Sequence, residues 1–143
     1  MNDELKPEPS TELLKALHIL TRDGKLNQDS RRKLKQVYHL YHFIESLLIE
    51  VMQVRGDVTL VDHGAGKSYL GFILYDLFFK SRDKGTVYGI ERRVELVTQA
   101  KALAQRLAFV RMAFLDLSVE ASVTSPALPD RIDVVTALHA CDT

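Results

Sequence analysis

The sequence has few of the features that identify secreted or strongly charged proteins. Its 143 residues include one cysteine, Cys141, so no disulfide can form within the chain. A single cysteine is typical of proteins in a reducing compartment. Lysine plus arginine equals aspartate plus glutamate, at 19 each. The balance gives no overall attraction to nucleic acid or to membranes, although a local basic patch is still allowed.

Long apolar runs are also missing. The most apolar run, residues 69–79, is interrupted by Asp76. It is shorter than the about 20 apolar residues that cross a bilayer. Residues 1–10 are polar and acidic and lack the apolar centre of a signal peptide. We therefore expect a soluble, cytoplasmic protein, and the apolar fraction of 46% is enough to form the core of one domain.

The sequence pattern of the first part of the chain predicts a loose tail followed by helices. Residues 1–9 contain two prolines and several charges, which favours a disordered tail. Leucines at helical spacing predict a helix over residues 11–20. A second, longer helix is predicted from Asp29 or Ser30, both good N-caps, to the glycine at position 56. We expect residues 10–56 to form an N-terminal helical extension.

The pattern changes after residue 57 to an alternation of strands and helices. Strands are predicted at 58–61, 86–90, 108–115 and 132–138, helices at 68–80 and 93–107, and a short helix or loop at 118–129. Such an alternation indicates a parallel sheet whose right-handed crossovers place helices on both faces. The predicted fold class is therefore α/β: a partial, four-strand, Rossmann-like parallel sheet with an N-terminal helical extension. Ligands of such sheets bind outside the carboxyl ends of the strands.

Three chemical features stand at those predicted ends. Gly64 and Gly66 lie between the first strand and the next helix, where backbone without a Cβ can approach a ligand closely. Glu91 follows the second strand, where a carboxylate can accept hydrogen bonds from both hydroxyls of a ribose. Asp116 follows the third strand and could accept a hydrogen bond from an adenine amino group. The three features together indicate a ligand site more specifically than any one of them alone.

These segments resemble the motifs of class I S-adenosylmethionine-dependent methyltransferases. Asp62-His-Gly-Ala-Gly-Lys67 resembles the first motif, Tyr88-Gly-Ile-Glu91 the second, and Phe114-Leu-Asp116 the third. The Gly-x-Gly-Lys loop and the Leu-His-x-Cys segment within residues 137–143 resemble a narrower methyltransferase-domain family. Its relatives include tRNA 2′-O-methyltransferases with a His-Leu-Cys-Gly signature in the same place. The resemblance covers about residues 30–143.

The resemblance implies a cofactor, S-adenosyl-L-methionine, and a role for each matching residue. The glycine loop would pass under its methionine part, Asp62 would meet its amino group, and Glu91 would hold the ribose. Asp116 would hold the adenine, with Leu117 against the ring. The implied cofactor-binding set is Asp62, Gly64, Ala65, Gly66, Glu91, Asp116 and Leu117, and the implied catalytic residues facing the methyl group are His139 and Asp142. No metal is implied.

Two departures from the class affect what can be expected. Ser68 stands where many members have a third glycine. The class has seven strands in the spatial order 3-2-1-4-5-7-6, whereas four are visible here, so residues 57–143 are expected to be the N-terminal half of the domain. An apolar fourth strand at the edge invites pairing, so we expect either a truncated chain or self-association through that edge.

RNA is the leading methyl acceptor, and a small molecule or protein the alternative. The acceptor and the activity of these residues alone stay open.

Several other interpretations compete with this one. A phosphate-binding P-loop would need a glycine five positions before Gly66, where Val61 stands. A dinucleotide-binding Gly-x-Gly-x-x-Gly would need a glycine at Tyr69. A scaffold domain that keeps the fold without catalysis is a further possibility.

The same residues also have purely structural interpretations. Glu91 could be part of a charged helix start, and Asp116 could be a helix N-cap. The basic residues 31–35 could be a solvated helix face or an RNA contact.

Overall fold

The computed structural model describes residues 11–17, 28–66 and 69–137. The elements in chain order are α1 (Thr11–Ala16), α2 (Gln28–Arg55), β1 (Thr59–His63), α3 (Tyr69–Leu74) continuing as a π-helical turn (Tyr75–Phe79), β2 (Thr86–Ile90), α4 (Val94–Arg106), β3 (Met112–Leu115), α5 (Val119–Val123) and β4 (Val134–Thr136). The predicted alternation of strands and helices is confirmed.

The four strands form one parallel sheet in the order β3-β2-β1-β4. Strand β1 is central and pairs with β2 and β4, as in Leu60 opposite Val87 and Val134. Strand β2 also pairs with β3, with Ile90 opposite Leu115. This order is the one expected of the first four strands, and it leaves β4 at an edge of the described sheet.

The main core lies on the sheet face that carries α3 and α4. The two crossovers β1-α3-β2 and β2-α4-β3 step in the same direction, so right-handed connections put both helices on one face. The ring of Phe72 in α3 stacks on that of Phe114 in β3 at 5.6 Å between centroids. Both rings belong to one buried cluster with Leu60 and Val87. Burial of these apolar side chains is the main favourable contribution to folding.

Helix α2 joins this core through one stripe of its surface. Val37, Tyr41, Ile44 and Leu48 are buried at steps of four, three and four residues, which is the spacing of one helix face. The same cluster includes the buried leucines of the α1 segment, Leu13, Leu14 and Leu17. The predicted N-terminal helices therefore form part of one core with the sheet, as far as the chain is described.

Within the described residues, the opposite face of the sheet is less covered than predicted. The connection from β3 returns across the sheet to β4, so a right-handed crossover places α5 on the face away from α3. Helix α5 has five residues, too few to cover that face. Val134 of β4 is buried at 9% exposure, whereas Val135, which points the other way, is 57% exposed. The two neighbouring valines of the apolar fourth strand therefore differ, since Val134 lies in the core and Val135 faces solvent.

The largest error in the predicted element bounds concerns β3. The prediction started this strand at Ala108, but it begins at Met112. Ala108 has φ of +60°, and the N–H of Phe109 donates to the carbonyl oxygen of Ala104 at 2.9 Å, so the chain turns here after α4. The ring of Phe109 packs on Tyr75 at 4.5 Å. The turn before β3 therefore anchors the end of α4 in the core through Phe109.

Among the helices of the described residues, none has both the length and the hydropathy of a membrane-spanning segment.

Candidate functional site

The parallel sheet brings the three predicted features to one edge. His63, Ile90 and Leu115 are the last residues of β1, β2 and β3, and they are in register across the three strands. The glycine loop, Glu91 and Asp116 follow those residues directly along the chain. The prediction that these groups share the carboxyl edge of the sheet is therefore confirmed.

The glycine loop folds back over the end of β2. Gly64 has φ of +62° and Gly66 has φ of +58°, a left-handed conformation that costs other residues roughly 1–2 kcal/mol. The N–H of Ala65, which is buried, donates to the carbonyl oxygen of Ile90 at 3.0 Å. The two glycines therefore make the tight turn that brings loop backbone against the neighbouring strand.

The side chain of Glu91 is held by four hydrogen bonds. It is buried, with 6% of the residue exposed, yet it carries a carboxylate. Oε1 accepts hydrogen bonds from the N–H of Gly66 at 2.8 Å and from Nη2 of Arg93 at 3.2 Å. Oε2 accepts from the N–H of Arg93 at 2.9 Å and from its Nε at 2.8 Å. Glu91 thus joins the end of β2 to the glycine loop.

These donors keep Glu91 ionised. The side chain of Arg93 lowers the pKa of the Glu91 carboxyl most, and the N–H groups of Arg93 and Gly66 lower it further. Burial acts in the opposite direction but is outweighed, and the pKa falls from 4.5 to about 2. A buried carboxylate that is charged at neutral pH, beside a glycine loop, is a strong hydrogen-bond acceptor for a polar ligand.

Asp62 is held deeper, on β1. It is 4% exposed, and its Oδ1 accepts a hydrogen bond from Oγ1 of Thr136 in β4 at 2.7 Å. Asp62 and Thr136 are opposite each other in the sheet register. Asp62 therefore links the central strand to β4 immediately before the glycine loop.

Asp116 and Leu117 lie beside Glu91. The N–H of Glu91 donates to the carbonyl oxygen of Leu115 at 3.0 Å, which places the chain after β3 next to the chain after β2. Asp116 is exposed and Leu117 is half-buried. The alternative that Asp116 caps a helix is wrong, because Ser118 is the N-cap of α5 and its hydroxyl accepts from the N–H of Ala121 at 3.1 Å.

Two residues of the site were missed by sequence reasoning. A Cβ on Gly89 would lie 2.7 Å from Cδ1 of Phe114, so only glycine allows that ring to lie over β2. A glycine inside a predicted strand is the signal that could have identified it. His63 ends β1, and burial lowers its pKa, so its imidazole is neutral at pH 7. Its Nδ1 is buried without a hydrogen-bond partner among the described residues.

Some predicted site residues lie outside the described part of the chain. These are the two catalytic candidates, His139 and Asp142, together with the rest of the Leu-His-x-Cys segment. Within the residues that the structure describes, no group of three histidine, cysteine or carboxylate side chains could hold a metal ion.

Comparison with known proteins gives one family match. A family model described as a methyltransferase domain matches residues 32–143. A search of curated proteins finds no match.

Solved structures show the same architecture. A protein from Listeria monocytogenes described as a class I S-adenosylmethionine-dependent methyltransferase is 22% identical, with a TM-score of 0.51 and with 68% of this chain and 29% of that chain covered. WbdD, crystallised with a kinase inhibitor, is 18% identical, with a TM-score of 0.53 and coverage of 68% and 21%. A SAM-dependent methyltransferase from Aquifex aeolicus is 28% identical, with a TM-score of 0.44 and coverage of 56% and 39%. The first two structural similarities confirm the Rossmann-like α/β fold. The chain spans less than half the length of each of the three solved structures.

Proposed function

The chain belongs to the methyltransferase-domain family, and we propose that the carboxyl edge of its sheet binds S-adenosylmethionine for methyl transfer. The observation that carries the proposal is the buried, ionised carboxylate of Glu91 bonded to the N–H of Gly66 at 2.8 Å. It puts an acceptor suited to ribose hydroxyls beside a loop that a ligand can approach closely. Solved structures of similar fold include proteins described as S-adenosylmethionine-dependent, which supports the choice of ligand.

The residues at this edge fit the parts of that cofactor. Glu91 would accept hydrogen bonds from the ribose hydroxyls, and the exposed Asp116 would accept one from the adenine amino group, with Leu117 against the ring. The backbone of Gly64, Ala65 and Gly66 would lie under the methionine part, with Asp62 toward its amino group. Neutral His63 adds no positive charge next to a cationic sulfonium, which favours binding of the charged cofactor.

Methyl transfer from this cofactor depends mainly on how the protein positions the methyl acceptor. When bound, S-adenosylmethionine supplies a methyl group that its sulfonium already activates. The protein must then hold the acceptor in line with that methyl group, and placement of this kind can account for several kcal/mol of a barrier. Residues of the fourth-strand end, with His139 and Asp142 as our candidates, would face the methyl group. A base is needed only for an acceptor that must lose a proton.

Isothermal titration tests the proposal directly. We expect heat with one-to-one stoichiometry from S-adenosylmethionine and from S-adenosylhomocysteine, because both carry the ribose that Glu91 would hold. Circular dichroism should first show that the sample is folded. A folded sample that gives no heat with either ligand contradicts the proposal. Heat from NAD⁺ alone would instead support the dinucleotide-binding alternative.

RNA is the acceptor that we propose. The first half of α2 presents exposed cationic side chains, including Arg31, Arg32 and Lys35. Arg32, Lys35 and His39 also line one shallow depression of the surface. Cations in such a cluster can contact successive phosphates of a nucleic acid. The resemblance of the Gly-x-Gly-Lys and Leu-His-x-Cys segments to relatives of tRNA 2′-O-methyltransferases supports the same class of acceptor.

A charge-matched pair of variants tests RNA binding. Arg32→Ala with Lys35→Ala removes two cations from α2, and Lys101→Ala with Arg106→Ala removes two exposed cations from α4. In titrations of tRNA at several salt concentrations, we expect the α2 variant to bind more weakly. Its slope of log affinity against log salt should fall by about 1.4, or about 0.7 per lost phosphate contact. Equal behaviour of the two variants, or no binding of tRNA by the parent chain, contradicts the RNA proposal.

A further inference from the structure

The carboxylate of Glu91 has no unused acceptor position. A carboxylate offers about four lone-pair sites, and four N–H donors lie within 2.8–3.2 Å of the two oxygens of Glu91. Two of the donors are backbone groups, those of Gly66 and Arg93. The other two, Nε and Nη2, belong to the guanidinium of Arg93. A ligand that hydrogen-bonds to this carboxylate therefore has to replace some of the present donors.

The guanidinium of Arg93 has the same donor arrangement as a vicinal diol. Its Nε lies 2.8 Å from Oε2 and its Nη2 lies 3.2 Å from Oε1, so each carboxylate oxygen receives one side-chain donor. Two neighbouring hydroxyls of a ribose can make the same paired contact, with one donor on each oxygen. Because both arrangements use the same lone pairs, the guanidinium and the diol cannot occupy Glu91 together.

The side-chain donors can leave more easily than the backbone donors. The Arg93 side chain is 55% exposed, whereas that of Glu91 is 8% exposed. The Arg93 backbone is extended just before α4, at φ of −82° and ψ of 106°, and the Gly66 backbone is part of the loop turn. The guanidinium end of this ion pair already lies largely in water, so its release from Glu91 restores its hydration at little net cost. Loss of the two hydrogen bonds from the Arg93 side chain therefore costs less free energy than loss of the two hydrogen bonds from backbone N–H groups.

We propose that Arg93 occupies the place of the ribose diol on Glu91 in the ligand-free chain, and that a ligand with a cis-diol displaces its side chain on binding. This inference rests on the proposed function, since it needs a ribose-bearing ligand at Glu91. The two backbone N–H donors stay in place and hold the carboxylate for the incoming hydroxyls. Arg93 thus acts as a positioning residue that keeps the carboxylate bonded until a ligand with two suitably spaced hydroxyls arrives.

The test compares Arg93→Met with Arg92→Met. Both variants remove one exposed arginine and keep an unbranched side chain, but only Arg93 contacts Glu91. In titrations with S-adenosylhomocysteine, we expect Arg93→Met to bind about two- to fivefold more tightly than the parent chain, which is the effect of removing an ion pair whose cationic end is exposed. Arg92→Met should bind like the parent.

Salt separates displacement from a purely structural role. Because salt screens the exposed guanidinium of Arg93 and so weakens its pairing with Glu91, the affinity of the parent chain and of Arg92→Met should rise as salt is added. The affinity of Arg93→Met should change less over the same range. If thermal melting shows that Arg93→Met is unfolded, Arg93→Lys replaces it, since lysine keeps the charge without the paired donors and should also tighten binding.

The outcomes separate this inference from the proposed function. Equal or weaker binding by a folded Arg93 variant, with binding by the parent chain, overturns the displacement and leaves the function in place. Tighter binding in Arg92→Met as well would assign the effect to net charge and also overturns it. No binding by the parent or by either variant overturns both proposals. Binding only by the Arg93 variant supports both.

Discussion

Replacing Glu91 with alanine is expected to weaken binding of S-adenosylhomocysteine by about 10- to 150-fold. The change removes a charge-assisted pair of hydrogen bonds to the ribose, for which we expect about 1.5–3 kcal/mol, and 1.4 kcal/mol corresponds to a factor of ten. The effect should be large because the carboxylate is buried at the site, where water cannot replace the lost acceptor. Isothermal titration of the parent chain and the variant measures it.

Controls for this prediction must account for the structural contacts of Glu91. The variant also removes the acceptor of the Gly66 N–H, so thermal melting has to show that it is still folded. Glu95→Ala, at an exposed position in the first turn of α4, removes the same charge away from the carboxylate and should bind like the parent. A folded Glu91→Ala chain with unchanged affinity would remove Glu91 from the binding site.

The pKa of Glu91 sets the range of pH over which this prediction holds. The pKa of the Glu91 carboxyl is about 2 in the folded chain, lowered mainly by the Arg93 side chain. Since the folded pKa lies below the ordinary 4.5, the stabilising contribution of this carboxylate is complete above pH 4.5 and is lost as the pH falls toward 2. The titration of Glu91 should therefore leave ligand affinity unchanged around neutral pH.

Replacing Asp133 with alanine is expected to lower the free energy of unfolding by about 2–4 kcal/mol. The side chain of Asp133 is 4% exposed, and its Oδ2 accepts from the N–H of Thr59 and from Nη2 of Arg55, both at 2.8 Å. Its Oδ1 accepts from Nε of Arg131 at 3.1 Å. One carboxylate therefore joins the segment before β4 to the start of β1 and the end of α2. Urea denaturation at neutral pH measures the loss.

A matched variant and a pH series make the Asp133 prediction sharper. Asp130→Ala removes an exposed carboxylate three residues earlier and should change stability little. Burial raises the pKa of Asp133, but the donors on Thr59, Arg55 and Arg131 together outweigh it and hold the pKa below 3.8. The stabilisation is therefore complete above pH 3.8 and decreases below it, so the parent and Asp133→Ala should approach each other in acid. A difference at neutral pH no larger than that of Asp130→Ala contradicts the prediction.

The structure also explains where the predicted fold was inaccurate. Residues 86–90 were predicted correctly as a strand, because β-branched and apolar residues between clear turn signals indicate a strand locally. The strand before Asp116 was predicted four residues too early. Phe109, at the start of the predicted strand, packs into the core from a turn, and apolar character alone does not distinguish a strand from a turn with a buried side chain.

The order of strands and helices, the glycine turn after β1, and the position of Glu91 and Asp116 at the strand ends can all be predicted from the amino-acid sequence. The first two features follow from short-range patterns, namely the periodicity of apolar residues and the position of glycines. The third follows because the carboxyl ends of parallel strands lie at the same edge of a sheet. The hydrogen bonds from Gly66 to Glu91, 25 residues away, and from Thr59 to Asp133, 74 residues away, depend instead on how the folded chain packs. Hydrogen bonds between residues so distant along the chain leave no local pattern, because the packing of the whole sheet brings their partners together.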